Sequence, residues 1–296
     1  LVIHAASFYF HGVSTAHLKG IVRNLKMNPS YRADIKIDRL DLSGLNFIKE
    51  IKVKGILSSK HLGIRGKFGS EVSEFSGSFR LKDGGIESDH ALIEKIDADL
   101  TFSLNKEISI KGEGLARVMR AGPYSFPKPF DVRLSTTLRG TQERMEILSL
   151  LSHSYLEIKL KDEKTLSLNS GNVMIEGTIK GHGFSGKNSF EIKGIRFADH
   201  SVPWLKMRSN MDYQKGEMTI KNPEMEMEDL RLFANHVRVN MDQRETGYNV
   251  EIRGMNAAYR TKEALLKEGD FLLTLSPSKK IFSVDLRFSV KNILSQ

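Results

Sequence analysis

The chain has 296 residues, 40% of them hydrophobic and 27% charged, which is enough for a sizeable core and excludes general disorder. Its 45 Lys and Arg against 36 Asp and Glu give a formal net charge of +9, a balance that favours anionic partners such as nucleic acid, phospholipid headgroups or lipopolysaccharide. The absence of cysteine excludes disulfides, thiolate metal sites and cysteine nucleophiles.

Along the chain, residues 1–10 are apolar but too short for a spanning helix, which needs about 20 apolar residues. Because the sequence opens on Leu1 rather than Met, it reads as a piece of a longer protein or a mature form without its leader, with any membrane anchor upstream. From there period-two alternation dominates, the pattern of strands with one apolar and one wet face. Ile35 and Ile37 alternate with Asp34, Lys36 and Asp38, and the run continues to Leu40 and Leu42. Ile51 and Val53 alternate with lysines. The stretch 141–151 reads equally as helix or strand. Leu156, Ile158 and Leu160 alternate next, then Val173, Ile175 and Ile179, then Phe190 and Ile192. Val237, Val239 and Met241 follow, then Tyr248, Val250 and Ile252. The segment 257–267 reads as a short helix stopped by Gly269. Leu273, Leu275, Val284, Leu286 and Phe288 complete the apolar set.

Turn chemistry separates these runs: Asp83-Gly84-Gly85, Asn169 to Asn172, Gly181-His182-Gly183, Lys215-Gly216, Asn222-Pro223, Thr246-Gly247, Gly269-Asp270 and Ser276-Pro277-Ser278. Strict alternation argues against a parallel sheet buried on both faces. Five segments repeat the order apolar, polar, apolar, charged, glycine, at Gly55, Gly112, Gly177, Gly194 and Gly254. Glycine within strands marks bulges and bends, so the repetition predicts a curving sheet. The Pro-rich stretch 120–129 is a candidate break or strand crossing, and 200–203 a weaker one. Neither resembles a flexible linker, so residues 1–296 read as a single β unit.

Catalytic constellations are not evident. There is no phosphate-binding glycine loop and no nucleophile elbow. His4, His11 and His17 are spaced as scattered surface histidines. Glu224, Glu226 and Glu228 alternate with Met225 and Met227 as the wet face of one strand. Lysines such as Lys49, Lys52, Lys54 and Lys60, or Lys279 and Lys280, read as a solvated face rather than a nucleic-acid site, which would pair them with exposed aromatics. Met207, Met211, Met218, Met225, Met227 and Met241 suit either core filling or an adaptable apolar surface. No cofactor or metal is expected.

The segments FSGSFRLKDGGI at 75–86, IDADLTF at 96–102, GEGLARV at 112–118 and VMIEGTIKGHGFSGKNSFEIKGIRF at 173–197 resemble the AsmA-like and TamB-like family of bacterial envelope proteins. The resemblance covers most of the chain in style. It implies an all-β, elongated, curled antiparallel sheet forming a trough with an apolar inner face and few short helices. It further implies carriage of phospholipid or another envelope lipid along that trough, in the periplasm, between inner- and outer-membrane proteins and without enzymatic chemistry. The inner face expected from parity comprises Ile35, Ile37, Leu156, Ile158, Val173, Ile175, Ile192, Val237, Val239, Val250, Ile252, Leu273, Leu275, Val284, Leu286 and Phe288. The family's membrane anchor is expected in a segment upstream of Leu1, and members of the family are longer than these 296 residues. Two other readings stay open: a β-scaffold with a dry core, and a binder of anionic polymer.

Overall fold

A computed structural model describes the chain apart from residues 1, 11–13, 25–28, 45–50, 69–73, 90, 122–123, 160–164, 198–199, 215–216, 229, 234–235, 245–246, 261–263, 279–280, 290–291 and 296. Several strand residues, including all beyond 231, are described by their backbone alone. The fold is all-β, as the alternation requires. Every strand pairing whose register is described is antiparallel, and contacts divide the chain into two units, Leu1–Leu151 and Ser152–Gln296.

The first unit holds β1 (Val2–Phe10), β2 (Ser14–Arg23), β3 (Ser30–Asp41), β4 (Lys52–Lys67), β5 (Glu74–Glu87), β6 (Ala91–Leu104), β7 (Ile108–Ala121), β8 (Tyr124–Gly140) and most of β9 (Arg144–His153). Each strand pairs with the next, so the sheet is an open meander. A 3-10 turn at Leu42–Gly44 is the one helical element among the described residues, and it ends the alternation at Leu42. The ambiguous stretch 141–151 is strand β9, entered by a turn in which the Thr141 amide donates to the Arg144 carbonyl.

The second unit holds β10 (Leu156–Lys159), β11 (Thr165–Leu168), β12 (Ser170–Lys180), β13 (Gly183–Phe197), β14 (His200–Gln214), β15 (Glu217–Met227), β16 (Leu230–Phe233), β17 (His236–Arg244), β18 (Gly247–Arg260), β19 (Ala264–Ser278), β20 (Ile281–Ser289) and β21 (Asn292–Ser295). Short and long segments share courses. β11 and β12 both pair with β13, β16 and β17 with β15 and β18, and β20 and β21 with β19.

The helix expected over 257–267 does not form. Residues 257–260 close β18 and residues 264–267 open β19, paired Tyr259 with Leu266 and Arg260 with Leu265. A helix-forming composition yields here to the cross-strand ladder, which satisfies the backbone of both segments. Several expected turns are strand irregularities instead. Asp83-Gly84-Gly85 lies inside β5, where register shifts on both sides of Gly84 and a φ of 50° at Asp83 make a bulge. Asn222-Pro223 lies inside β15, with Asn222 at φ 49° beside a register shift against β14. Asn169 forms a one-residue bend from which Ser170 to Asn172 open β12, and the turns expected at Gly269 and Pro277 are taken into a strand course.

The bulges of the first unit line up. Register shifts fall between Ile37 and Leu40 in β3, Lys54 and Ile56 in β4, Leu81 and Ile86 in β5, and Glu94 and Asp97 in β6, where Lys95 takes a φ of 51°. Each bulge adds a residue to one strand and increases its local bend. A seam of them crossing adjacent strands curls the sheet. Gly55 shows why glycine is needed on that seam: its φ is 128°, and a Cβ there would stand 2.8 Å from the Cα of Gly84.

No second layer covers these sheets among the described residues. Among the residues whose side chains are described, only Leu42, Leu62 and Ile192 are buried hydrophobics, and none is fully buried.

Candidate functional site

Because strand side chains alternate, cross-strand register gathers the apolar positions into rows. In the first unit one row runs Leu18, Ile35, Leu62, Gly77, Phe102, Ile110, Leu138 across seven strands. Phe102 stacks on Phe79 at 5.7 Å and meets Phe75 at 4.7 Å, so neighbouring rows interlock. A second row runs Leu40, Leu57, Leu81, Ala98, Gly114, Leu134. β9 joins the same face, since the Thr136 and Ser149 hydroxyls are 2.9 Å apart.

Over β6 to β9 this face hollows into an apolar trough of about 530 Å³. Ile96, Leu100, Ile110, Val118, Val132 and Leu134 form its sides, and Ala98, Gly112, Gly114 and Ala116 its floor. The nearest atom to a Cβ built on Gly112 is Leu100 Cδ1 at 3.5 Å, so nothing in the backbone demands glycine there. The small residues keep space open. Leu100 and Leu134 remain 37% and 43% exposed, a costly state for branched apolar side chains with no cover.

The opposite face is wet and charged. Arg117 grips Asp131 with two hydrogen bonds of 2.8 and 3.3 Å, and Lys54 reaches Glu94 at 3.2 Å. The Arg117 guanidinium holds the Asp131 carboxyl below the usual carboxylate range and is itself held above its own. Lys111 does the same for Glu113. Lys36 first, and His17 after it, hold Asp38 low.

In the second unit the apolar rows are longer. One runs Ile179, Phe184, Tyr213, Met218, Val239, Ile252, Leu273, Leu286 across eight strands. Another links Met241, Val250, Leu275 and Val284, and a third runs from Gly177 and Gly186 through Met211, Ile220, Val237, Gly254 and Phe271 to Phe288. The side chains of Val237, Val239, Val250, Ile252, Leu273, Leu275, Val284, Leu286 and Phe288 lie outside those described, but their register positions belong to one parity. Val173 joins Phe190, Met207 and Met225, Ile175 faces Asn188, and Ile192 faces Leu205. Five of the six clustered methionines therefore sit in apolar rows, Met207 and Met225 with Val173, Met211 with Ile220, Met218 with Tyr213 and Met241 with Val250.

Two groups of expected residues stand apart. Ile35 and Ile37 belong to the first unit, with Ile37 opposite Ser59 across a bulge. Leu156 and Ile158 pair with Leu168 and Leu166, and Leu166 pairs with Phe197. Their register is continuous with Val173–Phe190, but Gly194 at φ 61° lies between the two, so the residue count does not place them on the face of Val173. Alternation does not carry across such a residue. The trough residues of β6 to β8 were missed from the sequence because glycine and alanine in its floor interrupt the apolar pattern of the strands that build it.

His4 and His11 lie outside the described side chains. His17 stands between Ser7 and Asp38, with Ser7 Oγ 2.9 Å from Nδ1 and Asp38 Oδ2 2.7 Å from Nε2. Hydroxyl, imidazole and carboxylate are in line as in an activated nucleophile. Ser7 and Asp38 are exposed and His17 is half-buried, and the three lie on the wet face of paired strands. A second hollow, on the wet face of β12 to β15, holds Lys187, Arg208, Glu176 and Glu224, whose charges cancel. No group of metal-ligating side chains occurs among the described residues. No described helix is long and apolar enough to cross a membrane. Lys49, Lys279 and Lys280 lie outside the described residues.

Compared with known proteins, the chain matches no family model, no curated protein and no solved structure.

Proposed function

We propose that the chain is a lipid-binding and lipid-transfer module whose apolar β face carries the acyl chains of phospholipid or another envelope lipid. It acts without catalysis, in the cell envelope, passing lipid between membranes with partner proteins at its ends. The observation that carries this reading is the uncovered apolar face of the first unit, with its seven-strand row and the trough over Gly112. Burial of acyl chain is worth about 0.8 kcal/mol per CH₂ and has no preferred register along a uniform trough. Such a surface holds chains and lets them slide. The polar face, where cations and carboxylates pair across strands, keeps the other side in water.

The test is a photo-crosslinking residue at Leu100 and, separately, at its neighbour Thr101, each in the full chain in native envelopes. Lipid adducts at 100 and none at 101 are expected. A matching pair at Ile252 and Glu251 probes the second unit. Adducts to protein rather than lipid at 100 would mean that a partner covers the face, and the scaffold reading would replace this one.

A further inference from the structure

The apolar face of the second unit is interrupted within β12 to β14. Two apolar rows cross it there, Val173, Phe190, Met207, Met225 and Gly177, Gly186, Met211, Ile220. Between them lies a row of the same parity that runs Ile175, Asn188, Ser209. The side-chain contact agrees with the register, since the Asn188 amide reaches the sulfur of Met211 on that face. From Val173 to Ile179, Phe184 to Phe190 and Met207 to Tyr213, the other residues of this parity are apolar or glycine, Tyr213 aside.

An amide and a hydroxyl on an apolar face cost free energy unless their hydrogen bonds are made. Ser209 is only 6% exposed, and its hydroxyl donates to Asn188 Oδ1. Asn188 Nδ2 donates to Met211 Sδ at 3.3 Å. A thioether accepts weakly and cannot donate, which sets the nitrogen on the sulfur side. The second amide N–H of Asn188 has no acceptor among the described residues, and the side chain is half-buried. β15 leaves the pair unmatched: its register with β14 shifts between Arg208 and Asn210, so Ser209 has no direct cross-strand partner there.

We infer that Asn188 is a polar contact of the lipid-binding face, donating its remaining amide N–H to the ester carbonyl of an acylglycerol lipid, and that Ser209 positions it. This rests on the lipid-binding reading and names the lipid class that the second unit takes. The acyl chains lie along the flanking rows, over Phe190 and Met207 on one side and Met211 and Ile220 on the other. The donor is neutral, and no charged residue shares its parity on β12 to β14 between these rows. A phosphate would therefore sit on an apolar surface without a cation, whereas a carbonyl asks for one neutral donor.

The test is a photo-crosslinking residue at Ile175, directly opposite Asn188, in the purified full chain. The protein is offered an equal mixture of diester and diether phosphatidylcholine with matching eighteen-carbon monounsaturated chains, and adducts are counted by mass spectrometry. The ether lipid lacks the carbonyl and is otherwise alike. Diester adducts should exceed diether adducts about fivefold, the worth of one hydrogen bond. Asn188→Leu should make the two equal while total adducts hold, and Ser209→Ala should lower the preference without abolishing it. The double variant Asn188→Leu/Ser209→Ala, which strands no hydroxyl, should also show no preference, with circular dichroism reporting the fold of each. Equal adducts with Asn188 in place would overturn the inference, as would a preference that survives Asn188→Leu. Adducts at Leu100 score the lipid-binding reading apart. Adducts there, with no diester preference at 175, keep that reading and reject the role of Asn188, whereas no lipid adduct at either position rejects both.

Discussion

Two glycines of the same sequence pattern have opposite requirements. Gly55 has a left-handed φ of 128° and the Gly84 backbone against it, so Gly55→Ala should cost about 1–3 kcal/mol, read by denaturant unfolding. Gly112 has neither constraint. Gly112→Leu should leave the fold intact by circular dichroism and fill the trough, cutting lipid adducts at Leu100 severalfold. If adducts are unchanged, the floor of the trough is not where lipid lies. The ion pairs set a pH dependence. Asp131 has its carboxyl lowered by Arg117, so it stabilises the fold above the unfolded carboxylate pKa of about 3.9 and loses that contribution as pH falls through its folded value. Asp131→Asn should lower the melting temperature at neutral pH. The difference from wild type should vanish in acid.

At the scale of strands, aromatic and leucine side chains stand in for missing Cβ atoms. The ring of Phe184 lies over Gly177 and Gly186, within 2.7 Å of where either Cβ would be, and a Leu62 methyl lies equally close over Gly77. These glycines allow strands to bend while a neighbour restores the apolar surface, a device known to rescue glycine in sheets. Phe184→Ala should destabilise the second unit by about 2 kcal/mol, less than a fully buried phenylalanine would, as measured by urea unfolding. The aligned bulges of β3 to β6 have the same consequence by other means. They turn what would be a flat ladder into a curled one and place Ile96 and Val118 along the side of the trough.

For the molecule as a whole, the decisive quantity is surface. Sheets with both faces uncovered gain little from hydrophobic burial, and their stability leans on backbone ladders and on partners for the apolar face. Purified protein stripped of lipid should therefore melt lower than the lipid-loaded form, and the gain on reloading should survive high salt because it is apolar. A gain that disappears in salt would point to the basic face as the lipid contact.

The all-β, antiparallel character was legible in the sequence, because a period of two in side-chain polarity has few other realisations. So was the grouping of Val239, Ile252, Leu273 and Leu286, whose parity needs only unbroken alternation. What failed was local. The segment 257–267 looked helical because composition speaks before pairing does, and Asp83-Gly84-Gly85 looked like a turn because a bulge uses the same residues. Parity was lost at Gly194 for the same reason: one left-handed residue interrupts the alternation, and the sequence does not mark which glycine does so. The trough itself was decided only in three dimensions. Ala98, Gly112 and Gly114 are weak signals one at a time, and register alone sets them side by side beneath Leu100 and Leu134. Arg32 and Arg65 became neighbours in the same way, since strand pairing brings together charges that are more than thirty residues apart along the chain.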